Sequence, residues 1–349
     1  YLDPTLILWR SSSQWVGGLF FLFFLMILFS NKSFNYKMTN LTYSGETNYK
    51  SEENIKNNLL KIFIFYSILS LIYFTLLNIT GVRLFNSLNL TMTLVSSGGF
   101  LPSDNLNDII VTNFQKIILI LSLIFSILNF YFLFNIFNKR IMIKSHKEDF
   151  YLLAFATLFI LLIYFNNVEG LDIIISVLSS LANSGITLLE TDNNLSLYFL
   201  LLTIVGGSLI SNTSGIKLTR FYILLKITTA EIIKLISPNS VINKTIFNSD
   251  NKINEEKVKI SFLIFISFFF SLFILSSLLI VDNIGFEGSF KLSILTLTNT
   301  VNSEMYSFQD VNFGNLLTSS KISLIIFMII GKIELVSIFL ILKKILFKD

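Results

Sequence analysis

The sequence predicts an all-α, polytopic membrane protein built from tandem repeats of one unit: span, half-helix, polar loop, span. Three observations carry that prediction. Of the 349 residues, 53% are apolar and only 14% charged, mean hydropathy is +0.72, and 37 residues are Phe. A soluble domain is about 25% charged, and a soluble chain of this size leaves about a quarter of its unfolded surface exposed. Lipid must therefore be the solvent for most of this chain. Apolar runs of bilayer-crossing length recur from end to end, and Lys-rich connecting loops alternate with acidic ones.

A helix needs about 20 apolar residues to cross the hydrocarbon core. Such runs lie at 14–30, 58–79, 115–138, 148–166, 195–227, 259–281 and 320–346. The first follows Trp9-Arg10, an interfacial pair. One set of loops carries Lys32, Lys37, Lys50 and Lys56, then Lys139, Arg140, Lys144 and Lys147, then Lys234, Lys244, Lys252 and Lys257; the tail adds Lys343, Lys344 and Lys348. The alternate loops hold Asp104, Asp108, Glu169, Asp172, Glu190, Asp192, Asp282, Glu287, Glu304 and Asp310, with Arg83 and Lys291 their only Lys or Arg. The positive-inside rule places the Lys-rich loops and the C-terminus in the cytoplasm, and seven spans then start Tyr1 outside. No charged n-region or cleavage site follows Tyr1, so the sequence reads as beginning inside a longer protein.

Each acidic loop contains a second, shorter apolar segment, at 82–95, 171–182 and 286–300. These are too short to cross a bilayer and read as re-entrant half-helices. Each is followed by a small polar stretch: Ser96-Ser97-Gly98-Gly99-Phe100, Asn183-Ser184-Gly185-Ile186-Thr187, and Val301-Asn302-Ser303. With Gly98, Gly185 and Asn302 taken as equivalent, the separations are 87 and 117 residues, and the extra 30 match an insertion at 228–258. The domain reading is 1–30 as the second half of repeat 1, 58–138 as repeat 2, 148–227 as repeat 3, 228–258 as a cytoplasmic insertion and 259–346 as repeat 4. Four units make a ring, and a ring of half-helices is a pore.

Composition excludes other chemistries. There is no Cys, which removes disulfides, thiolate metal sites and cysteine nucleophiles. The single His146 sits among Lys, Ser, Glu and Asp and reads as a solvated loop residue. The net charge of +4 reflects membrane orientation, not nucleic-acid binding. A half-helix entering from outside points a C-terminal end carrying about −0.5 charge at the centre, where it attracts cations. Glycine in the loop lets carbonyl oxygens turn toward an ion and replace its hydration shell. The break at 206–215 is too polar to be helix facing lipid, and so faces a cavity.

Motifs add a family resemblance. Gly206-Gly207-Ser208-Leu209-Ile210-Ser211-Asn212-Thr213-Ser214-Gly215-Ile216-Lys217-Leu218-Thr219-Arg220 resembles the GGSAGSTAGGIKxxR segment of the TrkH/TrkG/KtrB potassium-uptake family of bacteria. Leu8-Trp9-Arg10 with Gln14-Trp15-Val16-Gly17-Gly18 resembles the family's WRxxxQWxGG, and Gly331-Lys332-Ile333-Glu334-Leu335 resembles its GRLE, which favours the Trk branch.

The resemblance implies a potassium-selective pore of four pseudo-repeats, channel-like with pseudo-fourfold symmetry, whose first repeat is incomplete here. Potassium is the transported ion, no covalent cofactor is involved, and the filter residues are Ser96, Ser97, Gly98, Gly99, Asn183, Ser184, Gly185, Val301, Asn302 and Ser303. Carbonyls of Ser97, Gly98, Ser184, Gly185 and Asn302 would hold the ion. The family's intramembrane gating loop corresponds to Gly206, Gly207, Ser208, Ser211, Asn212, Thr213, Ser214 and Gly215. Lys332 matches a basic residue projecting into the pore, and Glu334, about 200° further round the helix, pairs elsewhere. Lys217 and Arg220 match basic positions of the family and equally suit positive-inside anchoring. The implied setting is a bacterial inner membrane, with lipid around a homodimer and a nucleotide-binding regulatory subunit of the TrkA type on the cytoplasmic side.

The chain departs from the family at Val301-Asn302-Ser303, which lacks glycine, and at Ile210 and Ser214, which replace glycine in the gating loop and stiffen it. The rival readings are a weakly selective or sodium-translocating pathway, a membrane-embedded enzyme, and an ion-inert assembly subunit.

Overall fold

The computed structural model describes residues 3–30, 53–103, 105–130, 132–133, 147–164, 170–189, 193–238, 240, 245–248, 253–282, 284–307 and 313–333. His146, Glu334, the loop residues 31–52 and 139–146, and the last part of the span 320–346 lie outside them.

The protein is an all-helical, polytopic membrane protein with pore-forming repeats. Repeat 1 is represented by α1 (Pro4–Ser30). Repeat 2 comprises α2 (Glu53–Ile79), the half-helix α3 (Leu84–Val95) and α4 (Asn113–Ile127). Repeat 3 comprises α5 (Lys147–Tyr164), the half-helix α6 (Gly170–Leu181), α7 (Asn193–Val205) and, after a break, α8 (Leu218–Ile236). Repeat 4 comprises α9 (Glu255–Ile280), the half-helix α10 (Phe286–Leu297) and α11 (Thr318–Ile333). Among the described residues, Leu59–Ile79 and Glu255–Ile280 are uninterrupted helices long and apolar enough to cross a bilayer.

Polarity is distributed as lipid requires. Leu71, Leu161 and Phe270 lie exposed on α2, α5 and α9, while Ser87, Asn89, Ser176, Ser180, Ser289 and Ser293 of the half-helices are buried. Several of these hydroxyls bond back to carbonyls three or four residues earlier, which satisfies them without a partner helix. Each half-helix has 12 residues. At 1.5 Å per residue that is about 18 Å, too short for a hydrocarbon core of about 30 Å.

The ring closes by a repeated contact. The outgoing helix of each unit packs on the half-helix of the next: α1 on α3, α4 on α6, and α7 on α10. In the remaining quadrant, between α11 and α1, lies a cavity of about 630 Å³ bordered by Gln14, Phe21, Phe100, Met328 and Lys332. Gly331 lets α11 touch the end of α10, because a Cβ there would meet the Leu297 carbonyl.

The α4–α6 contact is fastened by Lys116 Nζ and an Asp172 carboxylate oxygen 2.7 Å apart, with side chains 13% and 11% exposed. Asp172→Ala removes the carboxylate and leaves the Lys116 charge in a low-dielectric contact. The expected loss is about 3 kcal/mol, read as a lower thermal midpoint in detergent. Replacing both residues by Leu and Met should recover most of it, and no shift in the single variant would mean that water solvates the pair.

Helix ends depart from the hydropathy reading in several places, α2 starting at Glu53 rather than 58 among them. The first span, expected at 14–30, begins at Pro4: the Asp3 carboxylate accepts the Thr5 N–H at 3.0 Å, and Pro4 suits the first turn. The third span, expected to run to 138, breaks after Ile127, where Leu128 turns extended (ψ 159°). α8 runs on to Ile236, and α9 begins at Glu255, both within the segment 228–258.

Candidate functional site

Three loops meet at the inner ends of the half-helices. Each half-helix closes with the same pair of hydrogen bonds around one left-handed residue. In α3 these are Ser97 N–H to Leu94 O and Gly98 N–H to Thr93 O; in α6, Asn183 to Ser180 and Ser184 to Ser179; in α10, Asn299 to Thr296 and Thr300 to Leu295. The left-handed residues are Ser97 (φ 56°), Asn183 (φ 57°) and Asn299 (φ 52°). This local geometry sets the register. Ser97, Asn183 and Asn299 are equivalent, as are Gly98, Ser184 and Thr300, and as are Gly99, Gly185 and Val301.

That corrects the alignment of Gly98 with Gly185 and Asn302. The third half-helix ends at Leu297, not Thr300, so its loop starts three residues earlier than hydropathy suggests. Asn tolerates a left-handed backbone better than other residues with a Cβ, and in this loop the residue that adopts it is Asn299, not Asn302.

The loops approach one another closely. A Cβ on Gly99 (φ 83°) would strike the Ser184 carbonyl oxygen, and one on Gly185 (φ 72°) would strike the Val301 carbonyl oxygen. Only glycine satisfies both the left-handed backbone and the contact. Val301, at the third such position, stays out of the left-handed region, and its Cγ2 lies 3.1 Å from the position of a Cβ on Gly99. On the open side, Gln14 Nε2 donates to the Gly98 carbonyl at 3.0 Å. Asn302 and Ser303 follow the close-approach position; Asn302 borders the cavity, and Asn302 Oδ1 and Ser303 Oγ are buried without a hydrogen-bond partner. Ser96 caps α3, its hydroxyl bonded to Met92 O at 2.8 Å.

Beneath the loops, the chain between α7 and α8 is non-helical from Gly206 to Lys217. It is tied inward at several points. Gly207 N–H donates to Thr213 Oγ1, and the Ser211 hydroxyl bonds Ser208 O. Asn212 Nδ2 donates to Val95 O, the last carbonyl of α3, at 3.1 Å. Asn183 holds both sides of the break: its Oδ1 accepts the Ser214 N–H at 3.0 Å and its Nδ2 donates to Thr203 O at 2.9 Å. Gly215 (φ 85°) lies against the Thr203 and Ile204 carbonyls.

The three basic candidates divide. Lys332 Nζ donates to the Asn212 carbonyl and sits 4.7 Å from the centre of the Phe21 ring, facing the cavity. Lys217 and Arg220 are 4% and 3% exposed, which overturns the reading of them as interfacial anchors. Lys217 Nζ is enclosed by Thr213 O at 2.6 Å, Thr213 Oγ1 at 2.8 Å and Ser211 Oγ at 3.3 Å, and Arg220 Nη1 reaches Ile216 O at 3.4 Å. Lys217 supplies the loop with a tethered internal cation.

Several site residues carry no sequence signal. Asn129, Glu148 and Asp149 contact the broken segment of repeat 3 or the break in α4, as described below. Glu148 and Asp149 stand side by side at the start of an apolar run, and nothing in the local sequence points to their distant backbone partners.

A ring of half-helices with converging glycine loops, and a broken helix beneath it, defines a pore-type membrane protein. No family model matches the chain. It is similar to the potassium transporter TrkH from Vibrio parahaemolyticus, with a TM-score of 0.82 and 17% identity over 98% of this chain and 73% of that one. It is 25% identical over 360 aligned positions to an uncharacterised cation transporter of Methanocaldococcus jannaschii, covering 99% of this chain and 72% of the relative. The chain has the TrkH/KtrB fold, as its motifs implied. Both similar proteins are transporters.

Proposed function

We propose that this protein carries potassium across the membrane along the axis of the loop ring. The observation that supports it is the close approach of successive loops, with the Ser184 carbonyl against Gly99 and the Val301 carbonyl against Gly185. Carbonyl dipoles gathered on an axis replace the hydration shell of a cation, and three half-helix C-termini add negative potential there. The carbonyls of Ser97, Ser184, Gly185 and Val301 are the proposed ligands. Val301 takes the place of Asn302 by register, and the Gly98 carbonyl is engaged by Gln14. The loop 206–217 lies beneath this site and acts as the gate, with Lys332 fastened to it as the charge that opposes passage.

The likeness to TrkH supports the remaining assignments. The protein works as a homodimer in a plasma membrane, with the Lys-rich loops and C-terminus in the cytoplasm. A nucleotide-binding regulatory subunit of the TrkA type sits on that face.

Val301 supports a second reading, a pathway that discriminates poorly against sodium. A β-branched residue outside the left-handed region turns its carbonyl differently from Gly99 and Gly185. The test is radiolabelled rubidium uptake into proteoliposomes with potassium or sodium as competitor. Block by potassium alone supports the selective pore, equal block by both supports the second reading, and no uptake by folded protein overturns both. Val301→Gly should raise the preference for potassium over sodium by about tenfold if the valine is the cause, as expected for a change of about 1.4 kcal/mol. An unchanged competition ratio would acquit it.

A further inference from the structure

We infer that Glu148 and Asp149 are positioning residues that latch two broken helices together and hold the intramembrane loop in place. The inference rests on the reading of that loop as the gate. α5 starts at Lys147, so both carboxylates sit in its first turn, yet they serve different segments. Glu148 Oε1 accepts the N–H of Leu209, inside the loop of repeat 3, at 2.9 Å. Asp149 Oδ1 accepts the N–H of Asn129, at the break in α4 of repeat 2, at 2.8 Å.

The two breaks are also sewn to each other. Ser208 N–H donates to Ile127 O at 2.9 Å, and Phe130 N–H donates to Ile210 O at 2.8 Å. The result is a four-bond seam, with one repeat's interruption completing the backbone hydrogen bonding of the other. A buried backbone N–H without a partner is expensive, so each break exists only while the other and the carboxylates are in place.

Burial reinforces the arrangement. Asp149 is 1% exposed, and Lys217, Arg220 and the Thr219 side chain lie within reach of Glu148. Removing either acceptor leaves a buried backbone N–H unsatisfied, at the full desolvation cost of that group. Nothing in the helix-dipole role of first-turn acids calls for backbone N–H partners on two other segments. The loop cannot leave the axis without breaking the Glu148 bond and the seam anchored by Asp149.

The absence of Cys makes a clean reporter available. Ser211, 2% exposed within the loop, is changed to Cys, and its modification by a water-soluble thiol reagent is timed in proteoliposomes alongside rubidium uptake. Glu148→Ala and Asp149→Ala should each speed modification by about tenfold, as expected when a buried N–H loses its acceptor. The double variant should add little beyond the larger single effect, because both act on one seam. Glu148→Gln keeps an acceptor oxygen and should fall between Ala and wild type. If the alanine variants do not reach the membrane, Glu148→Gln and Asp149→Asn carry the test.

Unchanged modification rates in folded variants would overturn the latch and leave the carboxylates as helix-terminal acids. Faster modification without rubidium uptake in any form would uphold the latch and defeat the transport reading. Uptake with modification insensitive to both substitutions would do the reverse.

Discussion

Gly185→Ala should abolish rubidium uptake while leaving the protein folded. Two independent demands act at this position. Its φ of 72° lies in the left-handed region, which disfavours a residue with a Cβ by about 1–2 kcal/mol. The new methyl group would also occupy the place of the Val301 carbonyl oxygen, which belongs to the next repeat. Relief requires the Val301 carbonyl to swing away, and that carbonyl is a proposed ion ligand. The strain alone corresponds to about tenfold, and displacement of a ligand multiplies it. Gly99→Ala should behave alike, through the Ser184 carbonyl. Gly285→Ala is the matched control, since its Cβ would meet nothing within 4 Å. Uptake by folded Gly185→Ala equal to that of the control would remove the loop ring from the ion path.

Lys332→Met should raise basal uptake. Methionine keeps most of the length and the contact with Phe21, and removes the charge and the bond to the Asn212 carbonyl. Two effects point the same way. Coulomb repulsion between unit charges about 8 Å apart is about 2 kcal/mol at an effective dielectric constant of about 20, and removing it is worth about thirtyfold. The loop also loses its fastening at the Asn212 carbonyl, so it withdraws more readily. Lys332→Arg keeps both charge and donor and should resemble wild type. Uptake unchanged or lowered in Lys332→Met would mean that the ammonium serves packing alone and that ions do not pass near it.

Much of the architecture was legible because lipid makes local rules strict. Every backbone group in the hydrocarbon region needs an internal partner, so length and polarity separate spans from half-helices. The three half-helices and the break at 206 were therefore visible in single segments. The start of α1 was not, because Ser11, Ser12, Ser13 and Gln14 lower the hydropathy of a turn that is helical; each serine bonds back to its own helix, and Gln14 reaches Gly98. The break in α4 had no Gly or Pro to mark it. Asn129 is held by a carboxylate 20 positions away, and Ile127 and Phe130 by a loop 80 or more positions away.

Sequence alone determined the class of fold, the number and polarity of the repeated segments, and the small-residue loops that could face an axis. Those follow from composition and spacing, which act within one turn or one span. Tertiary structure decided the loop register, the partners of Lys217 and Lys332, and the break after Ile127. Each of these depends on backbone groups of one repeat being satisfied by another. The last loop illustrates the division: hydropathy pointed to Asn302, and the end of α10 at Leu297 puts the left-handed residue at Asn299 instead.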